Sequence, residues 1–276
     1  MALWRRLLAG SEWSHLLDVL SPALFDVISP RQLSARAAEL AKNWFNQEGA
    51  AQLARRLDES AADVDLGLRI RTASFEPSII PFRARIKDPQ KCSVPVEGDF
   101  VLRFFFFQIY ASESVFLDLR ASRFGRKPED DVREFYPLPL WATWRPEFVR
   151  SIRQLYDGFY GNDEGAFDRA VEELGIAPAA DVFRQAFGGE KKRASRYTVA
   201  EFRETFHQVF VRCRDAKAAF HPDFVTLGIA IATLYDHLET LGGCYDVLAA
   251  HQHVRASLER RSRPPECSEG CSDHSA

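Results

Sequence analysis

The chain lacks most of the features that announce a function. No segment of its 276 residues approaches the roughly 18 uninterrupted apolar residues that a membrane-spanning helix needs. The apolar N-terminal run, MALWRRLLAGSEW, is broken at Arg5-Arg6 and again at Ser11-Glu12. No small-residue cleavage site follows, which argues against a secretory leader. Five cysteines form an odd, scattered set, so no disulfide framework is expected and a reducing, cytoplasmic setting is the default. There is no basic excess either. A net charge of −3, with arginines spread through every segment, gives no case for a nucleic-acid surface. A P-loop, a Rossmann glycine pattern and a nucleophile elbow are all missing.

What is present is the material for a sizeable core. Hydrophobic residues make up 46% and charged residues 27% of a chain long enough for one large domain or two small ones. Residues 1–62 read as a helical segment. Ser21-Pro22 and Ser29-Pro30 each place a capping hydroxyl before a proline suited to the first helical turn. Leu33, Ala37, Leu40, Ala41, Trp44 and Phe45 then recur at helical spacing, and after Gly49 a shorter helix carries Leu53 and Leu57. From residue 63 the period changes to two. Leu66, Leu68 and Ile70 alternate with polar neighbours, as do Phe82, Ala84 and Ile86, which predicts two short half-exposed strands. The stretch PEDDVREFYPLPLW, with three prolines, reads as a loop with a short helix. Residues 127–258 read as a helical bundle. Phe148, Ile152, Leu155 and Phe159 form one stripe. Phe167, Ala170, Val171 and Leu174 form a second, behind an Asn162-Asp163 cap. Phe202, Phe206, Val209, Phe210 and Cys213 follow a Thr198/Glu201 capping pair. A last long helix from Pro222 carries Leu227, Ile231, Leu234, Leu238 and Leu241 and stops at Gly242-Gly243. Residues 259–276 turn to Arg, Ser, Pro and Glu and read as a disordered tail. The expected fold is therefore α+β, with a small, mostly antiparallel sheet of about four strands between an N-terminal helical segment and a C-terminal helical bundle.

Residues 99–110 (DFVLRFFFFQIY) and 114–120 (SVFLDLR) read as the hairpin at the centre of the 63–126 sheet. Four consecutive phenylalanines, Phe104 to Phe107, place large groups on both faces of a strand, which must then be central and covered twice. With a four-residue turn, Arg103, Asp118 and Arg120 share one face. Such a cluster either neutralises itself or leaves positive charge for a phosphate or carboxylate.

Residues 115–247 resemble the C-terminal part of the AarF/UbiB family, atypical protein-kinase-like proteins connected with quinone and isoprenoid-lipid metabolism. SVFLDLRASRF stands where that family has a strand ending in a metal-binding aspartate. RQLYDGFYGNDEGAFDRAVEELGI is similar to the helical segment that follows, and HPDFVTLGIAIATLYDHLETLGG to the terminal helix. The departures concern catalysis. GDFVLRFFFF occupies the place of the catalytic loop and lacks its carboxylate and its asparagine. Asp118, at the metal position, is followed by Leu119 and Arg120 instead of Phe-Gly. No nucleotide-binding lobe is legible in the first 95 residues. The resemblance implies a truncated, kinase-dead relative, because phosphoryl transfer needs the positioned carboxylate and the metal shell.

Among other candidates, Glu204-x-x-His207 has the spacing of a helical metal-ligand pair, and His221 and His237 lie on or near the last long helix. These four residues define a rival reading, a metal-dependent enzyme. Cys267, Cys271 and His274 have loose metal-like spacing without a fourth ligand. The basic loop at 190–193 reads as solvated, with a peripheral membrane contact as the minority reading. The leading expectation is a non-catalytic binding or accessory protein that holds a hydrophobic small molecule or a partner protein. It needs no cofactor and no nucleic acid.

Overall fold

A computed structural model describes residues 28–64, 66–72, 79–82, 96–127, 132–187 and 194–262. The N-terminal run, Ser21-Pro22, the strand positions Ala84 and Ile86, the 190–193 loop and the cysteines and histidine of the tail all lie outside these residues.

Two helices open the described chain, α1 (Pro30–Phe45) and α2 (Gln47–Asp63). Ser29 caps α1 in a reciprocal box with Gln32, as a Ser-Pro start suggests. The break falls at Asn46 rather than Gly49, and the Asn46 side chain caps α2 by accepting from the Gly49 N–H at 2.9 Å. Strands β1 (Leu68–Ile70) and β2 (Ile80–Pro81) confirm the change of period, although each is very short.

The chain then forms α3 (Val96–Ala111), where the phenylalanine run was expected as a strand. Nine of its sixteen residues are buried, Phe104 to Phe107 among them, so the run is central and covered on both sides. The element type is what differs. A helix apolar on nearly all sides is also a core element, and sixteen residues with no proline and no later glycine favour it over a strand. Glu97 and Asp99 stand in its first turn, where the helix dipole favours negative charge. Ala111-Ser112-Glu113 is accordingly a helix-to-strand connection and not a hairpin turn.

Strand β3 (Ser114–Phe116) pairs with a segment from the stretch expected to be loop and helix. That stretch supplies β5 (Arg133–Phe135) and β6 (Trp141–Thr143), and β3 runs antiparallel to β6 with Ser114 opposite Thr143. A short 3-10 turn (Ala121–Arg123) leads into β4 (Phe124–Arg126). The main sheet has four strands in the order β1-β5-β4-β2. Its β4 contacts are antiparallel and β1 lies parallel to β5.

The C-terminal half is helical: α4 (Pro146–Gly161), α5 (Glu164–Glu173), α6 (Ala180–Phe187), α7 (Val199–Asp215), α8 (Phe224–Leu241) and α9 (Val247–Ser262). A two-residue ribbon joins β7 (Ala194–Ser195) to β8 (Tyr245–Asp246). The expected caps operate. Asp163 Oδ1 accepts from Ala166 N–H at 2.9 Å, Thr198 Oγ1 accepts from Glu201 N–H at 3.1 Å, and Gly242 ends α8 with φ of 67°. The sequence reading stopped the bundle at residue 258, whereas α9 runs on to Ser262. Fourteen of the eighteen residues of α8 are buried, which makes it the second central helix beside α3.

One buried cluster takes residues from Ile28 to Val254, so the helical and sheet segments share a core. Polar groups fasten it. Asp223, fully buried before α8, pairs with Arg36 of α1 and accepts from the Arg145 N–H ahead of α4 at 3.0 Å. Gln108 of α3 accepts from the Phe116 N–H at 2.8 Å, tying the central helix to β3. Among the described residues no helix is long and apolar enough to cross a membrane. Cys213 is free and buried, while Cys244 is disulfide-bonded.

Gly98 lets α3 meet Tyr245 at van der Waals distance. A Cβ there would lie 2.0 Å from Cε1 of that fully buried ring. Gly98→Ala is expected to lower the unfolding free energy by about 1–3 kcal/mol through overpacking, read as a lower urea midpoint. An unchanged midpoint would show that the α3–β8 contact is slack.

Candidate functional site

The bundle does not close completely on itself. Helices α3, α4, α7 and α8 leave between them a cavity of about 100 Å³. Leu102, Phe105 and Phe106 of α3 form one wall, and Leu155, Tyr156, Phe159 and Tyr160 of α4 another. Phe206 of α7 and the stripe Leu227, Ile231, Leu234 and Tyr235 of α8 complete most of the remainder, with Tyr197 at the β7–α7 connection. Among the described residues the lining side chains carry no charge, and their only polar atoms are tyrosine hydroxyls. Aromatic contacts order the walls. Phe106 meets Tyr156 and Tyr160 edge to face, at 5.3 and 6.0 Å between ring centroids, and Tyr156 stacks parallel to Tyr160 at 6.2 Å. Burial pushes the hydroxyl pKa values of Tyr156, Tyr160, Tyr197 and Tyr235 above the ordinary tyrosine range, so all four are neutral donors at physiological pH.

A polar cluster backs this cavity. The Tyr110 hydroxyl lies 2.8 Å from Asp157 Oδ1 and 2.8 Å from His251 Nε2. The His251 ring packs against Phe106 and Tyr160, two of the lining residues. Burial raises the Tyr110 pKa, and the neighbouring Asp157 charge adds to the effect. Burial also pushes the Asp157 carboxyl up, but bonds from His251 and Tyr110 and the Arg255 charge outweigh it and hold it below its usual value. Arg153 caps the C-terminus of α3 by donating to Ile109 O at 2.7 Å and Ser112 O at 3.2 Å. The cluster thus welds α3, α4 and α9 together behind the aromatic wall.

The residues singled out from the sequence are distributed differently. Arg103 does not share a face with Asp118 and Arg120, because residue 103 is helical. It pairs with Asp99 one turn earlier and approaches His253 Nε2 of α9 at 3.4 Å. Asp118 and Arg120 do meet. Arg120 grips the buried carboxylate with Nε at 2.8 Å and Nη2 at 2.9 Å, and Arg123 Nε adds a contact at 2.9 Å. Both carboxylate oxygens accept from guanidinium donors, two cations around one anion. The same segment is sewn onto α8. Thr233 Oγ1 donates to Leu117 O at 2.7 Å, and His237 Nδ1, facing a carbonyl, donates to Leu119 O at 2.7 Å.

The four residues of the metal reading are not brought together. Glu204 and His207 sit on the exposed side of α7, with Glu204 accepting from Gln208 at 3.0 Å. His221 stacks on Phe148 before α8, and His237 lies about 20 Å further along, near the other end of that helix. Among the described residues no three of the metal-ligating types form a group that could hold an ion. No family model matches the chain, and no curated protein is significantly similar to it in sequence.

The sequence reading missed the tyrosines. Tyr156, Phe159 and Tyr160 were visible at helical spacing in LYDGFYG, but a stripe of rings looks the same whether it fills a core or lines a hole. The Tyr110–Asp157–His251 cluster joins three distant segments and left no local signal.

His237 carries a pH prediction. Burial lowers its pKa to about 4, against smaller opposing effects of the Leu119 carbonyl and Asp118. The unfolded chain therefore binds the extra proton between about pH 6.5 and pH 4, and stability is full above this window and is lost as pH falls through it. Between pH 7.5 and 4.5 the loss is about 2.5 kcal/mol. Urea unfolding at the two pH values is expected to show a difference smaller by about that amount in His237→Gln, and an equal difference in both proteins would refute the assignment. Asp118→Ala removes the buried carboxylate that Arg120 and Arg123 share and is expected to cost about 3–5 kcal/mol at pH 7, measured the same way.

Proposed function

We propose that this protein is a non-catalytic binding protein that holds a small hydrophobic molecule in the aromatic cavity between α3, α4, α7 and α8. The observation that carries the reading is the cavity itself. Protein interiors are packed to crystal density with few voids larger than water, so a ring-lined space at the meeting point of four helices is not a routine consequence of folding. Its walls match the chemistry of ligand pockets, which are mostly apolar with a small number of placed polar groups. The engagement of both Asp118 oxygens by arginines supports the kinase-dead half of the expectation, since a carboxylate so held is a poor metal ligand. Support for ligand binding comes from the cavity and not from the AarF/UbiB resemblance. That resemblance remains a proposal about ancestry.

A one-ring hydrocarbon is the simplest probe. Toluene is expected to raise the thermal unfolding midpoint of the full chain saturably. At 100-fold excess over its dissociation constant the gain is about 2.7 kcal/mol, or several degrees for a chain of this size. Calorimetric titration provides the affinity. Failure of toluene, benzene and indole alike to give a saturable shift would sink the reading.

A further inference from the structure

We infer that the cavity is built for a neutral, single-ring aromatic molecule bearing a hydrogen-bond acceptor such as a carbonyl, which the tyrosine hydroxyls bind and for which Gly228 keeps room. The inference deepens the ligand-binding reading and rests on it.

Three observations define the occupant. The first is polarity. None of the hydroxyls of Tyr156, Tyr160, Tyr197 and Tyr235 is hydrogen-bonded to a described residue, though all four line the cavity. These hydroxyls are not among the buried unpartnered atoms of the described residues, so they keep accessible surface at which an acceptor brought in from outside can bind. They come in two neighbouring pairs, with ring centroids 5.2 Å apart for Tyr197 and Tyr235 and 6.2 Å apart for Tyr156 and Tyr160. The second is charge. Among the described residues no cation lines the space, and the charged groups felt by Tyr160, Tyr197 and Tyr235 are the carboxylates of Asp246 and Glu201. An anionic ligand would be desolvated with nothing to pair it. The third is room. A volume of about 100 Å³ is on the scale of cavities that accept benzene.

Gly228 lies in the interior of α8, on the stripe of Phe224, Ile231 and Tyr235, all lining residues. It is buried, its backbone is helical, and a Cβ added there would meet nothing within 4 Å. Neither a turn nor a close approach calls for glycine, and glycine weakens a helix interior relative to alanine. What this position preserves is space on the cavity side of α8.

The test compares acetophenone with cumene, a hydrocarbon of nearly the same shape, together with benzoate and tetramethylammonium, by calorimetry on the full chain. Acetophenone is expected to bind about tenfold more tightly than cumene, with benzoate and tetramethylammonium at least tenfold weaker than acetophenone. In Tyr235→Phe and Tyr160→Phe the preference for acetophenone should fall toward unity while cumene affinity stays within twofold. Their unfolding midpoints should be unchanged or raised, since the deleted hydroxyl is hydrogen-bonded to no described residue. Gly228→Ala should raise the midpoint of the free protein and weaken acetophenone at least tenfold. Equal binding of acetophenone and cumene overturns this inference and leaves the ligand-binding reading standing. Tighter binding of benzoate or of tetramethylammonium overturns it in favour of a charged ligand. Failure of every compound to bind overturns both.

Discussion

The rest of the structure depends on the burial of α3 from all sides. A helix carrying four adjacent phenylalanines can present none of its faces to water over that stretch, so neighbouring elements must enclose it. The main sheet supplies one cover through Phe124 and Phe135, whose rings meet Phe104 at 6.1 and 4.8 Å. Helices α4 and α9 supply the other through Tyr156, Tyr160 and His251 around Phe106. The fold is thus a set of layers around one helix, and its polar fastenings sit where those layers change hands. Gln108 reaches β3, Arg153 and Tyr110 close the C-terminal end of α3, and Arg36 with Asp223 draws the N-terminal helix onto the start of α8.

Much of this order was legible in the sequence. The α+β class, the caps at Ser29, Asp163 and Thr198, the stripes of α4, α5, α7 and α8 and the strand period around Leu68 all follow from spacing and cap chemistry. The phenylalanine run exposes the limit of such reading. Continuous apolarity states that an element is central, but it removes the alternation by which a strand is told from a helix. Phenylalanine's preference for strands then tilts the choice the wrong way, and tertiary context overrides it. The three-residue strands β5 and β6 were illegible for a different reason, since three residues hold barely one period. Once residue 103 is helical, Arg103 is displaced to the α9 side, while Asp118 and Arg120, two apart in the same short segment, still meet.

The candidate site was the least legible part because its identity lies in what the rings fail to fill. Leu155, Tyr156, Phe159 and Tyr160 would make the same sequence stripe in a solid core. The distinguishing information is the distance between helices, and that is set elsewhere. The Tyr110–Asp157–His251 cluster and the Arg153 cap hold α4 against α3, and the Thr233 and His237 tethers hold α8 against the segment after β3. With both helices fixed from behind, neither is free to slide inward and close the gap.

Such a gap has a thermodynamic cost. At about 24 cal/mol per Å³, a cavity of about 100 Å³ forgoes roughly 2 kcal/mol of packing energy, a noticeable part of the stability of a single-core protein. A glycine inside α8 adds to that cost, and it is relieved by a single substitution to alanine. Two sources of instability meet at one place, the unfilled space and the helix-interior glycine. An occupant that fills the space and accepts from the hydroxyls would offset the lost packing, which is the energetic side of the proposed ligand binding.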